Sequence, residues 1–329
     1  MSAREVVKLL KIGEVSPSEL IDASEQRTEQ VDGDVNAMVT KCFDRARNMS
    51  GKTLAKAKES AGKEPGWLAG LPIGIKDLSA VSGVRTTFGT PDMADHVPAQ
   101  NDPIVDTLEA RGGLVVGKTN TPEMGAGGNT FNDVFGFTRN PWDTRKNSGG
   151  SSGGAAVSLA AGEVWLSHGS DLAGSLRTPA AYCGVVGLRP SPGRAFGGPM
   201  ALGFSHEGLS GPMARDVLDC ALFLDAMCGY DERAPLSLPA PAEPFFTSAS
   251  RASMPVRVAF APTLNGFAPV EAEICSVMGA ALEKLASEGA TIEEACPELP
   301  DLYNTYITLR ALHWAALPGR APQSVQSQY

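Results

Sequence analysis

The sequence predicts an α/β fold, in which helices pack in layers on a sheet that contains at least some parallel strands. Short apolar runs typical of strands alternate along the chain with segments of helical periodicity, which is the pattern of proteins with parallel sheets. The chain has 329 residues, of which 43% are hydrophobic and 20% are charged. That composition indicates a globular protein with one large core or two domains.

Two helix-start signals open the chain. Ser2 with Glu5 and Ser16 with Glu19 match the capping box, in which a serine side chain and an acidic side chain three residues later satisfy each other's backbone amides. The predicted helices run near residues 2–11 and 17–30.

The other elements follow from apolar periodicity and turn residues. The predicted strands are 37–42, 71–76, 114–118, 164–169 and 256–262. The predicted helices are 43 to about 61, 103–111, 153–161, 215–229, 269–287 and 301–315. The Pro-rich stretch 234–255 is the best candidate for a linker or an excursion from the domain.

Charge and cysteine usage exclude several classes of protein. A net charge of −9 argues against nucleic acid or an anionic membrane as the main partner, because both require clustered Lys and Arg. The six cysteines are scattered without a CxxC pair, so neither a zinc site nor a disulfide framework is indicated. The start of the chain mixes charged and apolar residues and lacks the apolar run of a signal peptide or membrane span. We therefore expect a cytoplasmic protein with reduced thiols.

Two short patterns point to functions that their context disfavours. Residues 112–119, GGLVVGKT, fit the phosphate-binding loop, but that loop requires a strand before it and a helix after it, and here the order is reversed. Residues 149–153, GGSSG, fit the nucleophile elbow of α/β-hydrolases. An elbow also requires a preceding strand and a downstream histidine, and NPWDTRKN before it has no strand character.

The segment NSGGSSGG, residues 147–154, allows two interpretations. Gly and Ser together form the most flexible linkers, whereas the same glycines also allow a backbone to pass close to other groups or to adopt conformations that a Cβ forbids. A second serine, Ser175, follows a glycine-containing turn where a helix could begin. This serine fits either a helix cap or a nucleophile beside backbone amides that could hold an oxyanion.

Both serine segments and their spacing resemble the amidase signature family of serine hydrolases. The resemblance extends over most of the chain and is far more specific than either short pattern. It is carried by the SPSEL helix, LAGLPIGIKDL (68–78), GVRTTFGT (83–90), GKTNTPEMGAGGNTFNDVFGFTRNPWD (117–143), the serine core with DLAGSLRTPAA, and GPMARDV (211–217).

The resemblance implies a single α/β/α domain around a twisted mixed sheet, covering residues 1–329 with 234–255 as an excursion within it. It implies an amidase with Ser175 as nucleophile, Ser151 in an unusual cis peptide as proton relay, and Lys76 as base. The implied oxyanion donors are the amides of residues 172–175: Leu172, Ala173, Gly174 and Ser175. Supporting roles around the nucleophile are assigned to Ser152, Asp171 and Arg177, and Lys118 is expected to be structural.

Lys76 can act as a base only if its amine is uncharged at working pH. A serine hydroxyl is a weak nucleophile until a base takes its proton, and Lys76 can be that base only when uncharged. Burial on the apolar strand LPIGIK would lower its pKa. Because adjacent strand residues point to opposite faces, we expect the carboxylate of Asp77 to turn away from Lys76.

Two departures from the family pattern leave alternatives open. Many members have Gly where this chain has Ala173, and typical members are longer, so part of the C-terminal region is expected to be lacking. The alternatives to an amidase are a catalytically silent truncated scaffold or binding subunit, and the A-type subunit of an amidotransferase. No cofactor or metal is expected. The expected partner is a small-molecule amide substrate, with no nucleic acid and no membrane, and homo-oligomer formation is left open.

Overall fold

Helices and strands alternate through most of the chain. The protein is described by a computed structural model over residues 1–59, 64–197 and 203–316. The helices are α1 (Ala3–Ile12), α2 (Pro17–Val35), α3 (Phe43–Glu59), α4 (Pro103–Ala110), α5 (Gly153–Ala160), α6 (Arg177–Cys183), α7 (Val217–Met227), α8 (Phe245–Ser250), α9 (Ala272–Ser287) and α10 (Leu302–Ala315). The strands are β1 (Met38–Lys41), β2 (Pro72–Lys76), β3 (Leu114–Thr119), β4 (Phe131–Asn132), β5 (Gly136–Phe137), β6 (Leu166–Asp171), β7 (Val186–Gly187), β8 (Leu209–Ala214), β9 (Arg257–Phe260) and β10 (Thr291–Glu294).

The first two helices begin where the capping boxes predict. The side chain of Ser2 accepts the amide of Glu5, and that of Ser16 accepts the amide of Glu19, each at 3.3 Å. Both glutamates return the contact to the serine amide. Each box therefore satisfies two amides that the first helical turn leaves unpaired.

Among the described residues, six strands form the main sheet in the order β1-β3-β2-β6-β8-β7. The central pairs β3–β2 and β2–β6 are parallel, whereas β1, β8 and β7 pair antiparallel to their neighbours. The sheet is therefore mixed, as predicted. The parallel strands β2, β3 and β6 end at the same edge, and this edge is where α/β proteins commonly place their sites.

Helices cover both faces of this sheet. Residues of α1, α4 and α7 pack with Ile73, Ile75 and Val115 in one apolar cluster. Residues of α2, α3, α5 and α6 pack with Leu114 and Val116 in the other. Successive side chains of β3 thus pack into cores on opposite faces of the sheet, which gives the three-layer α/β/α arrangement.

Five of the described strands, β4, β5, β7, β8 and β10, lie outside the predicted set, and one predicted strand is shifted. Strand β8, LSGPMA, pairs along its whole length with β6 and is completely buried, although Gly, Pro and Ser weaken strand propensity. Strand β10 carries the polar sequence TIEE and pairs in parallel with β9. The strand predicted at 164–169 lies at Leu166–Asp171. The positions of these strands depend on pairing with distant strands, which the local strand propensity of the sequence does not indicate.

Contacts divide the chain into two units. The first contains Met1–Ala249 and holds the main sheet with its helices. The second, Ser250–Ala315, contains the parallel pair β9–β10 with helices α9 and α10. Apolar side chains of α9 are exposed, with Val277 at 63%. The Pro-rich stretch 234–255 includes the short helix α8.

All six cysteines lie in the described part of the chain and are free thiols. Cys183 is completely buried in the core. Among the described helices, none combines the length and the apolar character that crossing a membrane requires.

Candidate active site

Lys76 ends strand β2, and its side chain is completely buried. The Nζ atom lies 2.7 Å from Ser151 Oγ, 2.9 Å from Ser152 Oγ and 3.1 Å from Ser170 Oγ. Within the described ranges, all of its hydrogen-bond partners are neutral hydroxyls. Burial lowers the pKa of Lys76 from 10.5 to about 7, although the charge of Asp171 acts in the opposite direction.

The serine loop, residues 147–154, brings Ser151 and Ser152 to this lysine. The peptide bond between Gly150 and Ser151 is cis, as the resemblance implies. A Cβ at Gly150 would lie 2.9 Å from the backbone of Asn129, so only glycine fits there without displacing backbone. Ser151 is 2% exposed, and α5 begins directly after Ser152. The glycines therefore serve close packing, and the flexible-linker interpretation is wrong.

The turn that carries Ser175 joins the end of β6 to the start of α6. The Ser152 amide donates to the backbone oxygen of Ser175 at 3.1 Å, which brings the two serine segments together. Ser175 itself is half-buried. In the part of the chain that the structure describes, its hydroxyl has no hydrogen-bond partner. The structure therefore joins Lys76 to Ser151 directly, and Ser175 to the same region through its backbone.

Asp171, the last residue of β6, organises this turn. Its buried carboxylate accepts the amides of Gly174 at 2.7 Å and Leu176 at 3.1 Å, and it pairs with the Arg177 guanidinium at 3.0 Å. Burial opposes the charge of this carboxylate, but the hydrogen bonds from Arg177, Gly174 and Leu176 outweigh burial and lower the pKa of Asp171 to about 2. Asp171 therefore stays ionised and holds the turn.

The bond from Gly174 corrects one expectation. The amides of residues 172–175 were expected to serve together as oxyanion donors, but the Gly174 N–H already points to the carboxylate of Asp171. Across the described residues, the amides of Leu172, Ala173 and Ser175 have no acceptor. These three remain available, with Ala173 exposed to solvent.

Asp77 turns away from Lys76, as the alternation of strand residues predicts. Its Oδ2 accepts the hydroxyl of Thr87 at 2.6 Å, and its Oδ1 lies 3.3 Å from Lys118 Nζ. Lys118 also donates to the backbone oxygen of Ser79 and to the hydroxyl of Thr86. The pair is buried on the opposite face of the sheet, where it fastens the loop after β2.

Sequence reasoning missed two residues of this region. Ser170 contacts Lys76, and Arg189 contacts Asp171. Ser170 belongs to no motif, and only its place at the carboxyl end of a central strand could have indicated it. Arg189 comes after β7, 18 residues from Asp171, so local pattern gives no sign of the contact.

Within the described ranges, no group of three or more His, Cys, Asp or Glu side chains is arranged to hold a metal ion. The buried histidine of β6, His168, contacts Ser210 Oγ at 3.1 Å through Nε2. Burial and the nearby charges of Lys76 and Lys118 lower the pKa of His168 to about 3, which keeps this ring neutral.

Comparison with known proteins gives a consistent result. The family model described as Amidase matches residues 19–317. An acylamidase of Rhodococcus erythropolis is 42% identical over 299 residues, which are 91% of this chain and 62% of that protein. The A-type subunit of the glutamyl-tRNA(Gln) amidotransferase of Moorella thermoacetica is 37% identical over 294 residues, 89% of this chain and 60% of that protein. The chain thus spans about three fifths of the length of these curated relatives.

Solved structures agree in fold. A bacterial aryl acylamidase belonging to the amidase signature enzymes superposes with a TM-score of 0.86 at 29% identity, over 99% of this chain and 71% of that one. A 6-aminohexanoate cyclic dimer hydrolase superposes with a TM-score of 0.84 at 27% identity, over 98% of this chain and 69% of that one.

Proposed function

This chain belongs to the amidase family, and we propose that it hydrolyses carboxylic amides through an acyl-enzyme on Ser175. Ser151 serves as proton relay, and Lys76 serves as base. The observation that carries the proposal is the position of Lys76, whose buried Nζ contacts neutral hydroxyls and no charged group among the described residues, with Ser151 Oγ at 2.7 Å.

The state of Lys76 supports its role as base. A lysine at its ordinary pKa is protonated and has no lone pair to accept a proton. With a pKa lowered to about 7 by burial, a large share of the molecules carries a neutral amine at neutral pH. Such a base contributes about 10² to 10⁴-fold to a rate when it lies within hydrogen-bond distance of the proton path.

The first half-reaction acylates the enzyme. Ser175 Oγ attacks the amide carbonyl carbon, its proton passes to Ser151 Oγ, and the Ser151 proton passes to Lys76 Nζ. The resulting ammonium then returns a proton through Ser151 to the leaving nitrogen, the C–N bond breaks, and the amine departs. Ser151 suits this relay because a hydroxyl donates and accepts at the same time. Hydrogen bonds between catalytic groups are often long or absent without substrate and form when it binds. We expect the Ser175 hydroxyl to form its hydrogen bond to Ser151 in this way.

The second half-reaction releases the acid. Water attacks the ester carbon of the acyl-enzyme, its proton follows the same path to Lys76, and the ammonium then reprotonates Ser175 as the ester bond breaks. In both halves the carbonyl oxygen becomes negative, and we assign its stabilisation to the amides of Leu172, Ala173 and Ser175. Each donor of this kind contributes about 10² to 10³-fold to turnover in other hydrolases.

Relatives suggest the substrate class. The Rhodococcus erythropolis protein is named an acylamidase and the superposed structure an aryl acylamidase, so we propose N-acyl amides, including anilides, as substrates. The free cysteines fit the reducing cytoplasm, where we place the protein.

The Moorella thermoacetica relative favours a second candidate, the A-type subunit of a tRNA-dependent amidotransferase. That role would use the same serines and lysine to release ammonia from glutamine. The net charge of −9 offers little to a nucleic-acid partner. Glutaminase activity that exceeds anilide hydrolysis would favour this candidate.

A fluorophosphonate probe tests the proposal without knowledge of the substrate, because it reacts with activated serines. Wild-type protein should be labelled and should hydrolyse members of a panel of aliphatic and aryl amides, whereas Ser175→Ala should lose both properties. Ser18→Ala, at an exposed position of α2, is the matched control and should behave as wild type. Equal labelling of Ser175→Ala and wild type would overturn the proposal, and a wild type that is not labelled would indicate a silent scaffold.

A further inference from the structure

Arg189 lies between two segments that are separate in sequence. Its Nη1 donates to the backbone oxygen of Asp171 and, at 2.8 Å, to the backbone oxygen of Glu207. Its Nη2 donates to the backbone oxygen of His206 at 3.0 Å. The guanidinium also lies 3.4 Å from the Asp171 carboxylate, and the side chain is 24% exposed. One side chain thus ties the end of β6 to the segment that enters β8.

The contact with the Asp171 backbone oxygen has a directional consequence. That oxygen belongs to the same peptide unit as the amide of Leu172, the first of the three available oxyanion donors. A trans peptide unit is planar, so its C=O and N–H point in opposite directions. Holding the oxygen of Asp171 therefore fixes the direction of the Leu172 N–H.

The guanidinium suits this task better than an ammonium would. Its donors lie in one plane at fixed angles, so it can hold carbonyls of two segments together. A lysine at this position could supply the charge but not the same set of directed bonds.

Charge gives Arg189 a second effect on the site. Asp171 favours the protonated form of Lys76, and positive charge beside Asp171 offsets that influence. Arg177 pairs with the same carboxylate but does not bond to the backbone oxygen of Asp171. The two arginines therefore share the electrostatic effect, whereas only Arg189 orients the peptide.

We propose that Arg189 is a positioning residue, which aims the Leu172 amide at the developing oxyanion and balances the charge of Asp171 near Lys76. This inference depends on the proposed amidase function. Among the residues that the structure describes, the charged and titratable groups around Lys76 and Asp171 are Arg177 of α6 and Arg189, and, on the other face of the sheet, Lys118 with Asp77 and the neutral His168.

Four variants separate the two effects when kcat and KM for an anilide are measured from pH 5 to 10. Arg189→Gln should lower the plateau kcat by about 10² with KM within about threefold, and should move the rise of kcat/KM to higher pH by about one unit. Arg189→Lys should leave the pH midpoint of kcat/KM unchanged, because the charge is kept, but should still lower the plateau kcat. Arg177→Gln should move the midpoint with a smaller loss of plateau. Arg194→Gln removes an arginine that also bonds a carbonyl, that of Pro239, and should match wild type.

The experiments test the role of Arg189 and the proposed amidase function separately. A wild type that fails to react with the fluorophosphonate probe would overturn the proposed function. A reactive wild type with equal plateaus for Arg189→Gln and Arg194→Gln would overturn the role of Arg189 alone. If Arg189→Gln does not fold, as circular dichroism would reveal, Arg189→Lys decides the matter: an unchanged plateau overturns the proposal, and a plateau lowered about tenfold at an unchanged midpoint supports it.

Discussion

Two lysines are completely buried on neighbouring parallel strands, Lys76 on β2 and Lys118 on β3. In the strand register Lys118 lies beside Ile75, so the two side chains point to opposite faces. Around Lys76 there are three hydroxyls, whereas Lys118 has the carboxylate of Asp77 at 3.3 Å. Burial lowers the pKa of both lysines, but among the described residues a direct anionic partner lies beside Lys118 and none lies beside Lys76. Equal burial therefore leaves Lys76 beside neutral hydroxyls, as the proposed base requires, and gives Lys118 an ion pair with Asp77.

The largest expected effect is on activity, from Lys76→Met. Removing the proposed base should lower kcat by at least about 10³-fold, because the proton of Ser175 then has no final acceptor. The melting temperature should change little, since Met fills a similar volume and leaves no buried charge unpaired. Amide hydrolysis and differential scanning calorimetry measure the two effects. Activity within tenfold of wild type would remove Lys76 from the mechanism.

Lys118→Met should affect stability instead. Removing one partner of a buried pair leaves the Asp77 carboxylate without its counter-charge, which costs about 3 to 5 kcal/mol of unfolding free energy. Urea denaturation measures it, and the rate per folded molecule should stay within about tenfold of wild type. The double variant Lys118→Met with Asp77→Leu removes both charges and should recover much of the loss. If the single variant is as stable as wild type, the pair has no structural role.

A third buried group, Glu163, sharpens the comparison because both of its carboxylate oxygens lack hydrogen-bond partners within the described chain. Burial, with the charge of Asp32, raises the pKa of Glu163 from 4.5 to about 8. Between those values the folded protein holds one proton more than the unfolded chain, so stability should fall as pH rises, by about 1.4 kcal/mol per unit at most. Glu163→Gln should lack this decline. Parallel stability curves of the two proteins from pH 5 to 8 would contradict the account.

The pH dependence of wild-type hydrolysis follows from the lowered pKa of Lys76, about 7. Only the neutral amine is a base, so kcat/KM should rise about tenfold per pH unit below pH 7 and level off above it. The rate rises with pH because Lys76 must lose a proton before it can act as a base. A profile that is flat between pH 5 and 8 would mean that Lys76 does not titrate in the catalytic cycle.

The smallest effect is expected from Ser170→Ala. Ser170 makes the longest of the three contacts to Lys76, and losing one hydrogen bond of this type lowers kcat by about three- to tenfold. Ser167→Ala, on the same strand, is the control, because the buried Ser167 hydroxyl has no hydrogen-bond partner among the described residues. Its removal should leave activity unchanged. Similar losses from both changes would indicate a general disturbance of β6.

Local signals predicted much of the fold, because capping boxes and apolar runs act within a few residues. Helices α1 and α2 and the strands around Ile73 and Val115 lie where these signals predicted. Strand β8 escaped prediction because its Gly, Pro and Ser content says little about strands, and its partner β6 is about 40 residues away. Strand β8 forms because it pairs with the distant strand β6.

The candidate site divides in the same way. Lys76, Ser151 and Ser175 were named through the family resemblance, and the orientation of Asp77 followed from strand alternation. The engagement of Gly174 by Asp171 and the contact of Arg189 with Asp171 were not predictable, since both depend on how a turn closes in three dimensions. The role of Ser175 as nucleophile stays a prediction that the labelling experiment addresses.

The sequence distances within the site also matter while the protein is being made. Lys76 meets Ser151 across 75 residues and Ser170 across 94. When a ribosome has synthesised β2, the hydroxyls that contact Lys76 in the folded protein have not yet been made. The central sheet also cannot be completed before β6 and β8 are present. Contacts that span so much chain form slowly. Until β6 has been made, a growing chain therefore lacks the full set of hydroxyl contacts of Lys76, and strands that pair this late leave apolar surface open to aggregation while the chain is incomplete.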